Sequence, residues 1–291
     1  MTGHTLLSEH RAAGRFFTAG GVGSFVREQG DGEAVVCLHG VPASSHLYRK
    51  VLPELAARGL RGVAFDLPGF GLAARPADFP YGPGGHGAWV AEAVDRVGLE
   101  RFHLVVHDYG GPVGFDVCAR IPQRIRSLTI LDTVLDAEQF RRPALIEFAL
   151  TSGLGLLLLR ALPPAVWHRA MLRIGVLDPA ALTRAESDMW LELMRREDHG
   201  RAILRSAEGV EATAGASARY VEAVRALGVP KQLIWAGDDP ILPPGRDGEH
   251  TRELAGAPLH LVAGRHFLQE EQPVAIAELV AQLARAATAA P

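Results

Sequence analysis

Cysteine is scarce: only Cys37 and Cys118 occur in 291 residues, too far apart for metal-ligand spacing. Cys37 lies in an apolar run and Cys118 in a helical pattern, so both read as buried thiols in a reducing compartment. There is no excess of either charge. Thirty Lys and Arg stand against 33 Asp and Glu, a net charge of −3 with no basic block, which argues against a nucleic-acid partner. Long apolar runs are missing too. The most apolar stretch, FALTSGLGLLLL (148–159), stops at Arg160 and is too short to span a bilayer, and MTGHTLLSEH at the start has no apolar core of signal-peptide length. A cytoplasmic protein without a membrane partner is the expectation. A homo-oligomer is compatible with the sequence, though no feature argues for one.

What is present is ordinary for a folded enzyme-sized chain: 48% apolar and 22% charged residues. Six short, nearly continuous apolar runs read as buried parallel strands: 35–38, 62–66, 103–106, 128–132, 232–236 and 259–263. Helical patterns at 44–59, 88–98 and 112–121 separate them, the last with Pro112 near its first turn. Strand and helix in alternation predict an α/β fold with a mostly parallel, doubly wound sheet. The glycine-bearing stretch 15–28 predicts an antiparallel hairpin at its edge. Between Asp132 and Lys231 only helical segments occur, and a structureless loop of that length is improbable. The expected organisation is a core of residues 1–132 and 229–291, with a helical cap of 133–228 inserted over the carboxyl ends of the strands, where ligands of such sheets bind.

Asp108 follows an apolar strand and precedes Tyr109-Gly110-Gly111-Pro112. This strand–turn–helix context suits a nucleophile elbow, although an Asp capping the next helix is the plainer alternative. Two further features favour chemistry. His39-Gly40 ends another strand and leaves the N–H of Val41 free to form an oxyanion hole with the N–H of Tyr109. His266 follows the last strand, in position to act as a base.

The segments HGVPASSHLYR, DLPGFG, VHDYGG, GDDP and GRHFLQEEQP together resemble the Asp-nucleophile branch of the α/β-hydrolase fold, the haloalkane dehalogenases and epoxide hydrolases. The likeness covers 35–132 and 229–275 and hardly touches the cap. It implies Asp108 as nucleophile, His266 as base, and Val41 and Tyr109 as oxyanion donors. For the triad acid the Gly-x-Asp-Pro pattern indicates Asp239, with Asp132 and the adjacent Asp238 as alternatives. It implies neither cofactor nor metal; the partners expected are a small apolar substrate and water. An aspartate, already ionised at neutral pH, suits in-line displacement at saturated carbon, giving an alkyl-enzyme ester that His266 then helps water to hydrolyse.

The leaving group is not fixed. Dehalogenases of this branch typically place a Trp after the nucleophile and an Asn in the HGNP motif; here Tyr109 and Val41 stand there. Trp167 is a cap candidate for a halide donor. An epoxide oxygen needs a hydroxyl or an acid, for which Tyr220, His168 and Tyr109 are candidates. The missing halide donors lead to a slight preference for an epoxide hydrolase, with a haloalkane dehalogenase as the alternative. An ester or lactone hydrolase with Asp108 as base, or a non-catalytic ligand-binding relative, stands further off. His39, Phe140, Phe148, Trp167, Trp190 and Phe267 are candidate pocket residues. Asp66 with Gly69-x-Gly71 lacks the third glycine of a dinucleotide site, and PYGPGGHG (80–87) is expected to be a flexible loop with His86 near a helix start.

Overall fold

The computed structural model describes residues 3–141, 144–151 and 153–289. The chain begins with α1 (Gly3–Ala12), β1 (Arg15–Ala19), β2 (Val22–Gln29), β3 (Glu33–Leu38), α2 (Val51–Ala56), β4 (Leu60–Phe65) and α3 (Pro83–Arg96). β5 (Phe102–His107), α4 (Gly110–Arg120) and β6 (Ile125–Leu131) follow. Six helices come next: α5 (Ala144–Thr151), α6 (Gly155–Ala161), α7 (Pro164–Gly175), α8 (Arg184–Arg195), α9 (Arg201–Glu208) and α10 (Ala214–Ala226). The chain closes with β7 (Lys231–Ala236), α11 (Glu249–Ala255), β8 (Leu259–Val262), α12 (Leu268–Glu271) and α13 (Pro273–Ala289).

All eight strands form one sheet in the order β1-β2-β4-β3-β5-β6-β7-β8. β1 and β2 make the edge hairpin, β2 is antiparallel to β4, and the remaining strands run parallel. Val35, Val36, Leu38, Leu104, Val106, Leu128, Ile130, Leu233 and Ile234 are fully buried. Helices covering both faces of a parallel sheet leave its strands no polar face, which is why these runs are continuous rather than alternating.

Two local expectations need correction. The helix expected at 44–59 is split into a 3-10 turn at Ser45–Tyr48 and α2. Pro53, which cannot donate to a preceding turn, is accommodated in the first turn of α2. The stretch 80–87 is not a flexible loop: Pro83 opens α3, and His86 is buried within its first turns. α10 packs on α4, with Tyr220 against Phe115 at 5.7 Å between ring centroids.

Arginines drawn into the interior tie the helices between β6 and β7 to the rest of the chain. Arg49 reaches Glu270 of α12 at 2.5 and 2.8 Å and Glu186 of α8 at 2.5 Å. Arg75 donates to Leu193 O at 2.6 Å. The C-terminal end of α7 accepts from the segment after β8, with Phe267 N–H on Gly175 O at 2.8 Å.

Candidate active site

The carboxyl ends of five adjacent strands converge. β3 leads to Val41, β5 to Asp108, β6 to Asp132, β7 to Asp239 and β8 to His266. Asp108 sits at φ 49°, a conformation that an L-residue adopts only where its surroundings compel it. Glycines make that turn feasible. A Cβ on Gly40 would lie 2.2 Å from Asp108 Oδ1, and one on Gly110 would lie 2.5 Å from Leu38 O. Thr133 Oγ1 donates to the carbonyl of Asp108 at 2.8 Å and braces the turn from β6.

The Asp108 carboxylate is held at both oxygens. Oδ1 accepts the Val41 N–H at 2.7 Å, and Oδ2 lies 3.4 Å from His266 Nε2. Burial opposes its charge, but His266, His107 and the Tyr109 N–H together keep the carboxyl below its ordinary pKa. On the other side of the imidazole, His266 Nδ1 meets Asp239 Oδ2 at 2.7 Å. Asp239 Oδ1 accepts from Ile241 N at 2.7 Å and Leu242 N at 3.0 Å. Burial alone would depress His266; Asp239 first and then Asp108 overcome it and hold the imidazole well above its ordinary value. Only Asp108 looks towards open space, with its side chain 20% exposed against 2% for His266 and 0% for Asp239. The arrangement sets a carboxylate with a backbone donor on one oxygen beside an imidazole whose other nitrogen meets a buried acid.

Of the alternative acids, Asp238 is exposed and makes no contact with His266 among the described residues. Asp132 is fully buried near His266, but its Oδ1 is engaged by the Ala236 N–H at 2.9 Å.

The leaving-group candidates fare differently. Tyr109 stacks on Phe70, and its hydroxyl lies 2.8 Å from His86 Nδ1. Burial keeps His86 neutral, with a pKa lowered to about 4. Both ring nitrogens of His86 face carbonyl oxygens, Nε2 that of Pro68 and Nδ1 that of Gly82, each at 2.9 Å. The Tyr109 hydroxyl is thus buried against α3, on His86. Trp167 spends its indole N–H on Ser187 O at 2.7 Å and has no donor left for a halide. Tyr220 is also displaced, lining a cleft of about 240 Å³ with Pro80–Gly85 and Asp116, beside α4 rather than above the nucleophile. His168 is half-buried, and its Nδ1 is sealed without a partner among the described residues.

Among the pocket candidates, Phe267 adjoins His266 in space as in sequence, at 5.5 Å between centroids, and Trp190 meets Phe267 edge-on at 5.2 Å. The Trp190 N–H points to His46 Nδ1 at 3.2 Å. Phe140 is half-buried against the core, and Trp167 is buried. Phe148 is 52% exposed and is not a buried wall. His39 is a brace for the turn after β3, with Nδ1 at 2.9 Å from Gly40 O and Nε2 accepting from Leu67 N at 3.2 Å.

Sequence reasoning missed His107. It lies directly behind the base, with Nε2 2.8 Å from the carbonyl oxygen of His266. The available signal was a polar residue closing an otherwise apolar strand, one position before Asp108.

The geometry is that of an α/β-hydrolase, and the chain belongs to that fold family, which it matches over residues 33–273. It is 31% identical to a haloalkane dehalogenase of Mesorhizobium japonicum over 279 residues, covering 89% of this chain and 86% of the relative. It is 28% identical to haloalkane dehalogenase 2 of Mycobacterium bovis over 271 residues, 87% of this chain and 88% of that one. Its fold superposes on the crystal structure of the haloalkane dehalogenase DbeA from Bradyrhizobium elkani with a TM-score of 0.80 at 23% identity, covering 96% and 99% of the two chains. The slight preference for an epoxide hydrolase finds no support in these relatives; the dehalogenase alternative fits them better.

Proposed function

We propose that this hydrolase cleaves a carbon–halogen bond at a saturated carbon of a small apolar substrate through an ester on Asp108. The Asp108 carboxylate carries the reading, partly exposed, with Oδ1 on the Val41 N–H and Oδ2 near His266. Oδ2 attacks carbon in line, and the halide leaves with the bonding pair. Oδ1 becomes the ester carbonyl oxygen and stays on the Val41 N–H. His266 Nε2 then takes a proton from water as the water oxygen adds to the Asp108 carboxyl carbon. Asp239 stabilises the imidazolium, and collapse releases the alcohol and restores the carboxylate. The balance is alkyl halide plus water to alcohol, halide and a proton.

The names of the relatives support halide over epoxide. One observation favours a second reading: Trp167 and Trp190 have committed their indole N–H groups to Ser187 O and His46 Nδ1 rather than to a halide. Epoxide opening by the same nucleophile retains the oxygen in the product. Product analysis separates the two. Bromoalkane turnover should release one bromide and one alcohol, whereas diol from epoxides without bromide release would reverse the assignment. The buried free thiols of Cys37 and Cys118 are in keeping with a cytoplasmic setting. Among the described residues, no helix is long and apolar enough to cross a membrane.

A further inference from the structure

The turn 263–267 between β8 and α12 carries His266, and residues 265–267 of it are bonded to the C-terminal end of α7. A helix ends with its last carbonyls unpaired within the helix. Here Arg265 Nη1 donates to Arg173 O at 2.8 Å, the His266 N–H to Ile174 O at 3.4 Å and the Phe267 N–H to Gly175 O at 2.8 Å. Successive residues of the turn thus satisfy successive carbonyls of α7. The fit is close, since a Cβ on Gly175 would lie 2.2 Å from Phe267 Cδ2.

Glu271, the last residue of α12, closes this join. Its Oε1 accepts the N–H groups of Leu177 at 2.9 Å and Asp178 at 2.8 Å, where the chain leaves α7. Its Oε2 accepts the Arg265 N–H at 3.1 Å, one position before the base. One carboxylate therefore holds both sides of the contact through charge-assisted hydrogen bonds. None of these bonds reaches Asp108, Asp239 or the imidazole, so Glu271 acts on the site only through the turn. Without it the Leu177, Asp178 and Arg265 N–H groups lose their acceptor, and the carbonyls of α7 alone hold the turn.

From this juxtaposition we infer that Glu271 is a positioning residue: it clasps the His266 turn to the end of α7 and so sets where the imidazole stands beside Asp108. The inference rests on the reading of His266 as the base. The two chemical steps need that placement unequally. Alkylation draws on the Asp108 carboxylate. Ester hydrolysis needs His266 Nε2, 3.4 Å from Asp108 Oδ2, to take a proton from water as the water oxygen adds to the carboxyl carbon. A misplacement of about 1 Å can cost ~10²-fold in rate. Loss of the clasp therefore falls on hydrolysis and spares alkylation.

The test separates the two steps. Glu271→Ala and wild type are mixed with bromoalkane, quenched at intervals and weighed intact, which follows the alkyl-enzyme as it forms and decays. Formation should match the wild type, and decay should slow about 10–100-fold, so that the ester accumulates. Equal slowing of both steps, or of neither, overturns the proposal. Glu271→Gln keeps the size and one acceptor oxygen but turns an amide N–H towards one set of backbone donors. It should slow the same step by a smaller factor, and it decides alone should the alanine variant not fold. NMR titration of the His266 imidazole gives a readout that needs no turnover. Its raised pKa should fall towards 6.5 in the variant as the ring leaves its carboxylate partners, and an unchanged value overturns the proposal. If the wild type turns over neither bromoalkanes nor epoxides, the hydrolase reading fails, while the titration still decides whether Glu271 positions the ring.

Discussion

Burial keeps several imidazoles neutral, and the fold's response to acid follows from them residue by residue. His10, His39, His86 and His107 are lowered to about 4, and His46 lies well below 6.5, each first by desolvation. In the unfolded chain these groups take protons near 6.5, whereas in the fold the first four wait until about 4 and His46 too stays neutral well below its ordinary value. The unfolded state therefore binds more protons in that window, and stability falls as pH drops through it by about 1.4 kcal/mol per pH unit for each fully unmatched proton. His266, whose pKa is raised, acts in the opposite sense above 6.5: its contribution is complete below that value and is lost as pH rises through its folded pKa. Urea midpoints measured against pH should decline steeply below 6.5, before most carboxylates titrate. A flat profile down to about pH 5 would mean that these rings are already protonated in the fold.

Among the elements, α8 is tied to the segment after β8 by a buried charge cluster. Arg49 is 14% exposed and joins Glu270, fully buried, to Glu186 of α8 at 13%. Removing it strands the Glu270 carboxylate beside Lys50 alone, at 2.9 Å. Arg49→Ala should lower unfolding free energy by about 3–5 kcal/mol in urea titrations; a loss under about 1 kcal/mol would show the pair to be idle. Such ties were invisible in the sequence because their partners stand 137 and 221 residues away. The strands were legible because burial on both faces writes them as unbroken apolar runs. α1 was not anticipated, being short and polar, and it gains its place by packing on α8. α10 was assigned to the cap because helical periodicity reveals an apolar face without saying which layer meets it.

At the scale of the whole molecule, the residues expected at strand ends lie together, whereas the expected leaving-group donors are dispersed among other elements. Asp108, His266 and Asp239 each end a strand or follow one closely, so the sheet alone brings them together. Tyr109, Trp167 and Tyr220 depend on side-chain partners in other elements, namely His86, Ser187 and the α3–α10 cleft. The account turns on Asp108 acting as a nucleophile. With His266→Ala, which removes the base and leaves the carboxylate, incubation with bromoalkane should build up one alkyl group on Asp108, read by intact mass and located by peptide mass. Absence of an adduct, with the wild type hydrolysing the same substrate and the variant still folded, would contradict the account.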